Sequence, residues 1–170
     1  MNDDRGAAGR SLKVYLRDHF AGSTAGLALV RRCRRGASGT TLRDVLSEIE
    51  TAIEEDRRAL EAMMAALGAS PSRFKSALGS VAEVVGRLKS NGRLIRRSPS
   101  STVVELEGLA AGIVTKRNLW RSLRAIAPTR AVLDVSELDR LVERATSQFE
   151  RVTSAHERAA RDAFGPIGPR

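Results

Sequence analysis

Apolar residues recur every three or four positions in five blocks along this chain, and each block opens and closes on a helix signal. The first helix is predicted from Ser11 to Arg35. It carries Leu12, Leu16, His19, Ser23, Gly26 and Val30 on one face and stops at Gly36. Thr41, with Asp44 three residues on, reads as a capping box for a second helix ending at Leu67-Gly68. Its row is Leu42, Leu46, Ile49, Ile53, Leu60, Met63 and Leu67. Ser70-Pro71 opens a third helix to about Ser90, with Phe74, Leu78, Val81, Val85 and Leu88, and Asn91-Gly92 closes it. Ser98-Pro99 repeats that start for a fourth helix, which Pro128 terminates. Ser136 with Asp139 caps a fifth, which runs to about Phe164 through Leu138, Leu141, Ala145, Phe149, Val152 and Ala159. No stretch alternates for long enough to build a sheet. The expectation is an all-α, five-helix domain over 11–164, four of the helices forming its core, with disordered ends at 1–10 and 165–170.

Polar residues interrupt these rows. His19 lies inside the first apolar row and Asp56 inside the second. Counted outward from a turn near Ala37-Ser38, the two face each other in an antiparallel pair. Counted from Arg130, Glu105 lies opposite His156. A carboxylate that orients an imidazole is either a satisfied core pair or part of a metal site. His19, Asp56, Glu105 and His156 are therefore the candidate ligands, for a single divalent metal. A complete di-iron centre is not expected. It needs Glu-x-x-His steps on two helices, and the residues three before His19 and His156 are Leu16 and Thr153. Lys116 falls among Leu109, Gly112, Trp120 and Leu123, so it needs a carboxylate partner or a path to water. Asp56 or another acid of the second helix can supply the partner. Gly22-x-x-x-Gly26 reads as a close approach of two backbones. Cys33, among four arginines, reads as a buried or idle thiol. Phosphate loops and nucleophile elbows are absent from the sequence, and no catalytic residue is nominated.

At 170 residues the chain suits one domain. With 42% apolar but only 4% aromatic residues, its core must be mainly aliphatic. The single cysteine excludes an intrachain disulfide. The opening residues lack the apolar run of a secretion signal, and Ala21 to Val30 is too short for a membrane span. A soluble, cytoplasmic protein without a membrane partner is expected. Net charge is +9, unevenly spread. Arg73, Lys75, Arg87, Lys89, Arg93, Arg96 and Arg97 share their segment with one acid, Glu83. Lys116, Arg117, Arg121, Arg124 and Arg130 share theirs with none. The second helix is acidic at Glu48, Glu50, Glu54, Glu55 and Glu61. An Arg-rich, GC-rich coding bias is one source of such a balance. The polarised layout keeps a second source open, an anionic partner, nucleic acid or another polyanion, held through Arg73 to Arg97 with Arg117, Arg121 and Arg124. Binding of that kind is led by phosphates and sensitive to salt. The acidic helix meeting the basic face of a second copy would give a homodimer.

Tyr15-Leu16-Arg17-Asp18-His19, the Glu54-Glu55-Asp56 run before Leu60, and Leu106-Glu107-Gly108-Leu109-Ala110-Ala111-Gly112-Ile113 followed by Lys116 and Leu119-Trp120 form a set. It resembles the bacterial ferritin-like helical-bundle proteins, mostly uncharacterised and sometimes linked to stress. The resemblance covers most of 11–163. It implies a four-helix ferritin-like core with extra helical material, a structural or interaction role, and a metal site between helices. The lack of Glu-x-x-His departs from that family's metal pattern and makes the implied site incomplete or vestigial.

Overall fold

A computed structural model describes residues 2–37, 39–69 and 99–165. Four long helices carry the fold: α1 (Asn2–Gly36), α2 (Thr40–Ala66), α3 (Pro99–Ile126) and α4 (Val135–Phe164). A 3₁₀ turn at Ala127–Thr129 follows α3 where Pro128 stops the helix. Among the described residues there is no strand. The helix predicted from Ser70 to Ser90 lies outside them, so the described assembly is a four-helix bundle.

Ion pairs and hydrogen bonds between helices fix the direction of each. Arg31 bonds Glu50 while Arg57 reaches Ser23 and Thr24, so α1 and α2 are antiparallel. Tyr15 donates to Ser122 and Arg32 to Glu105, which makes α1 and α3 antiparallel. Arg144 with Glu55, and Arg151 with Glu48, do the same for α2 and α4. Lys116 with Gln148, and His156 with Glu107, do so for α3 and α4. These four pairs are the packed neighbours, so α2 and α3 sit on a diagonal and run parallel. The chain leaves α2 at one end of the bundle and enters α3 at the other. That span is about 40 Å for a helix of 27 residues.

The helix boundaries hold three departures from the sequence pattern. α1 starts at Asn2 instead of Ser11. No apolar row precedes Leu12, but extending an existing helix through Ala7 and Ala8 costs little, and Gly6 and Gly9 only weaken it. The Thr41–Asp44 capping box does not form, because α2 begins two residues earlier with Gly39 as N-cap and no side-chain cap bond. The N-cap of α4 is Asp134. Its carboxylate accepts from the backbone N–H of Ser136 and Glu137, and Ser136 and Asp139 lie inside the helix. Asp134→Ala is expected to cost about 1 kcal/mol in denaturant unfolding. The C-terminus of α2 closes as the sequence suggests. Gly68 adopts φ 62°, its N–H bonds Ala65 and the Ala69 N–H bonds Met64, a pair of bonds that suits glycine at this position.

The buried side chains divide into two apolar cores. One gathers Leu16, Leu60, Met64, Leu119, Leu123, Leu138 and Leu141 at the end where α2 finishes. The other gathers Val30, Leu46, Ile49, Leu106, Ile113 and Val152 at the opposite end. Both are aliphatic, as the scarcity of aromatics requires, with Trp120 the largest exception. Between them each helix contributes polar or small residues, and this middle layer is where the chemistry lies.

Candidate functional site

The middle layer is built by one position on each of three helices at which the apolar repeat fails. On α2, Asp56 stands between Ile53 and Leu60. On α3, Lys116 stands between Ile113 and Leu119. On α4, Gln148 stands between Ala145 and Val152. Asp56 is 2% exposed. Its Oδ2 accepts from the Lys116 ammonium and, at 3.2 Å, from the Gln148 amide, while its Oδ1 accepts from the Arg144 guanidinium. The Gln148 carbonyl accepts a second hydrogen bond from Lys116. Arg144 also reaches Glu55 at 3.0 Å, which leads the network out to the surface. Burial pushes the Lys116 amine below its ordinary value. The Asp56 charge and hydrogen bond oppose that shift, and Arg144 adds to it.

The layer is closed on its own charges. Both oxygens of Asp56 are held by cationic donors, and the acid that Lys116 requires is the acid the sequence offered. Arg144 and Gln148 did not emerge from the repeat. Gln148 takes the buried position beside the half-buried Phe149, and Arg144 lies one turn before it.

The four sequence-derived ligand candidates do not come together. His19 and Asp56 line the same cleft, but Asp56 is bonded elsewhere, and the His19 ring packs edge-on against Tyr15 with centroids 4.5 Å apart. Glu105 is buried and pairs with Arg32 at 2.7 Å. His156 sits half-buried at the far side, 3.2 Å from Glu107 and not opposite Glu105. Among the described residues no group of three or more His, Cys, Asp or Glu is gathered to hold a metal. The donor set at the middle layer does not fit a divalent cation, because an ammonium and a guanidinium already occupy the one central carboxylate.

Burial holds the His19 imidazole below its ordinary value of 6.5, with the Asp18 charge opposing. The unfolded chain therefore takes up this proton first on acidification. The stability His19 contributes is full above about pH 6.5 and is lost as pH falls through the window beneath it. His19→Asn is expected to flatten the loss of unfolding free energy between about pH 7 and about pH 5.5, a window above carboxylate titration.

On the α1 side the layer is not filled. A cleft of about 170 Å³ lies between α1, α2 and α3. Gly22, Gly112 and Thr115 are exposed at its rim, while Asp56, Leu109 and Trp120 are buried in its floor. Gly22 and Gly26 line this space, and a Cβ at either would meet nothing within 4 Å. The Gly-x-x-x-Gly pair thus faces an opening and not a close helix contact. Gly112 is equally free, and only Gly108 comes near α1, at 3.4 Å from the Leu29 side chain.

Four of the five glutamates named on α2 are engaged within the chain, and the fifth, Glu61, is exposed. Glu50 and Glu54 pair with Arg31, Glu55 with Arg144 and Glu48 with Arg151. Of the basic candidates, Arg73, Lys75, Arg87, Lys89, Arg93, Arg96 and Arg97 lie outside the described residues. Arg117, Arg121 and Arg124 follow one another at helical spacing on α3. Arg124 is paired with Asp139, Arg117 lies 5.6 Å over the Phe149 ring, and Arg121 is exposed. Among the described residues no helix is long and apolar enough to cross a membrane. Comparison with family models, curated proteins and solved structures yields no match to this chain.

Proposed function

We propose that this chain is a ferritin-like helical-bundle protein with a structural or interaction role in place of iron oxidation. Its predicted fifth helix would belong to the connection between α2 and α3. The observation that carries the reading is the Asp56–Lys116–Arg144–Gln148 layer, a network whose charges balance once Glu55 on Arg144 is counted, at the height where a ferritin-like bundle would gather metal ligands. The topology supports it. Two antiparallel hairpins are joined by one connection that must travel the length of the bundle, the arrangement of ferritin-like folds.

Metal analysis tests this reading, on protein purified after growth with added iron and manganese. The expected result is no stoichiometric metal. Two irons per chain with ferroxidase activity would overturn it, and one metal lost in His19→Ala would establish a mononuclear site instead.

A second reading keeps a polyanion as partner. It is favoured by the row of Arg117, Arg121 and Arg124, of which, among the described residues, only Arg124 has a carboxylate partner. The test is titration with random duplex and single-stranded oligonucleotides at low and physiological salt. Binding that falls steeply with salt and weakens in an Arg93, Arg96, Arg97→Ala variant supports the reading, and no binding at low salt removes it. A homodimer through the acidic face of α2 is the less favoured assembly, because Glu48, Glu50, Glu54 and Glu55 already have partners in the same chain.

A further inference from the structure

We propose that the cleft between α1, α2 and α3 is a binding site for a small organic anion, a monocarboxylate with a body the size of one ring. Size comes first. The cleft holds about 170 Å³, and an apolar cavity of about 150 Å³ in another protein is enough to take up benzene. The space exists because three glycines hold the walls back. Gly22, Gly26 and Gly112 present no side chain where a Cβ would stand free. Glycine inside a helix costs about 1 kcal/mol relative to alanine, so these positions give up helix stability where packing does not require it. Ile53, Leu60, Leu109, Ile113 and Leu119 make most of the wall apolar, which suits a hydrocarbon body.

The polar groups decide the head. Four titratable side chains line the cleft: His19, Asp56, Arg57 and Lys116. Asp56 offers the ligand no open oxygen, since Lys116, Arg144 and Gln148 cover both. His19 is held towards its neutral form. The Arg57 guanidinium lies 4.2 Å over the Phe20 ring and donates to the Ser23 and Thr24 hydroxyls. Among the described residues no carboxylate is in ion-pair reach of it. Trp120 is 1% exposed, lines the same floor, and its indole N–H has no protein acceptor. The cleft therefore offers one positive charge with no carboxylate partner among the described residues, beside an apolar wall. An ammonium or a metal ion would meet Arg57 and Lys116 unfavourably. A carboxylate at Arg57, with its ring among the leucines and isoleucines, satisfies both halves. This inference does not depend on the ferritin-like reading.

Trp120 is the only tryptophan, so its fluorescence reports directly on the cleft. The test titrates the full chain with benzoate, with toluene and with benzylammonium. The expected result is saturable binding of benzoate, at least tenfold weaker binding of toluene and none of benzylammonium. Gly112→Leu and Gly26→Leu fill the space without a backbone clash and raise helix propensity. They are expected to keep the fold, shown by an unchanged or higher denaturation midpoint, and to weaken benzoate at least tenfold. Arg57→Gln is expected to weaken benzoate at least fivefold and leave toluene unchanged. No saturable benzoate binding, or binding untouched by the two filling variants, overturns the site. Equal binding of the three probes, or benzoate binding indifferent to Arg57→Gln, overturns the anionic head.

Discussion

Replacing Asp56 with Ala is expected to destabilise the fold by about 3–5 kcal/mol, the cost of breaking a buried ion pair from one side. Asp56 receives Lys116, Arg144 and Gln148 together, and its side chain is 3% exposed. Without it Arg144 keeps Glu55, but the Lys116 ammonium keeps only the Gln148 carbonyl, with 16% of its side chain exposed. A buried ammonium without a counter-charge is the costly species. Set against a total stability of about 5–15 kcal/mol for a typical domain, the loss is large. Asp56→Asn keeps an acceptor for Lys116 and should fall between the variant and the parent. Asp56→Leu combined with Lys116→Met and Gln148→Leu removes the buried partners together, leaves Arg144 on Glu55, and is expected to recover most of the loss, because matched apolar replacements avoid the desolvation cost. Urea unfolding measures all three. An Asp56→Ala chain within about 1 kcal/mol of the parent would show that the layer is open to water and not a closed network.

Such a layer is legible in the sequence only in part, and the reasons are local. Lys116 and Asp56 stand out because a charged residue in an apolar row demands a partner, and each helix supplied one. Gln148 does not stand out. The α4 repeat reads equally well through Phe149, and a period of 3.6 leaves one-residue choices open until the neighbouring helix is placed. Register errors are doubled across a hairpin. The α3–α4 turn contains a 3₁₀ segment and a loop through Asp134, so its centre lies about one residue beyond Arg130, which moves the partner of His156 from Glu105 to Glu107. The α1–α2 hairpin is shorter, and its count brought His19 and Asp56 to the same cleft. What the count cannot supply is the competition for the carboxylate, which a lysine and an arginine win over a half-buried imidazole. The glycines mark the deeper limit. Gly22-x-x-x-Gly26 has the same spelling whether another helix presses on it or a cavity opens before it, and only the placement of α3 separates the two.

Trp120 supplies the second large effect and ties stability to the cleft. It is the largest fully buried side chain, packed in the core that holds Leu16, Leu60 and Leu123, with one edge on the cleft floor. Trp120→Ala is expected to cost about 3–5 kcal/mol through lost burial and the cavity left behind. Trp120→Phe keeps an aromatic ring in the same core and loses no hydrogen bond, since the indole N–H has no protein acceptor. Its cost should be about 1–2 kcal/mol, from missing volume alone. The contrast separates packing from polar bonding at one site. If the phenylalanine variant is as unstable as the alanine variant, the indole N–H is engaged in the native fold and the floor of the cleft is already satisfied. If the two differ as expected, the N–H stands unbonded in the free protein. That N–H is itself buried out of a ligand's reach, so phenylalanine should weaken benzoate and toluene alike.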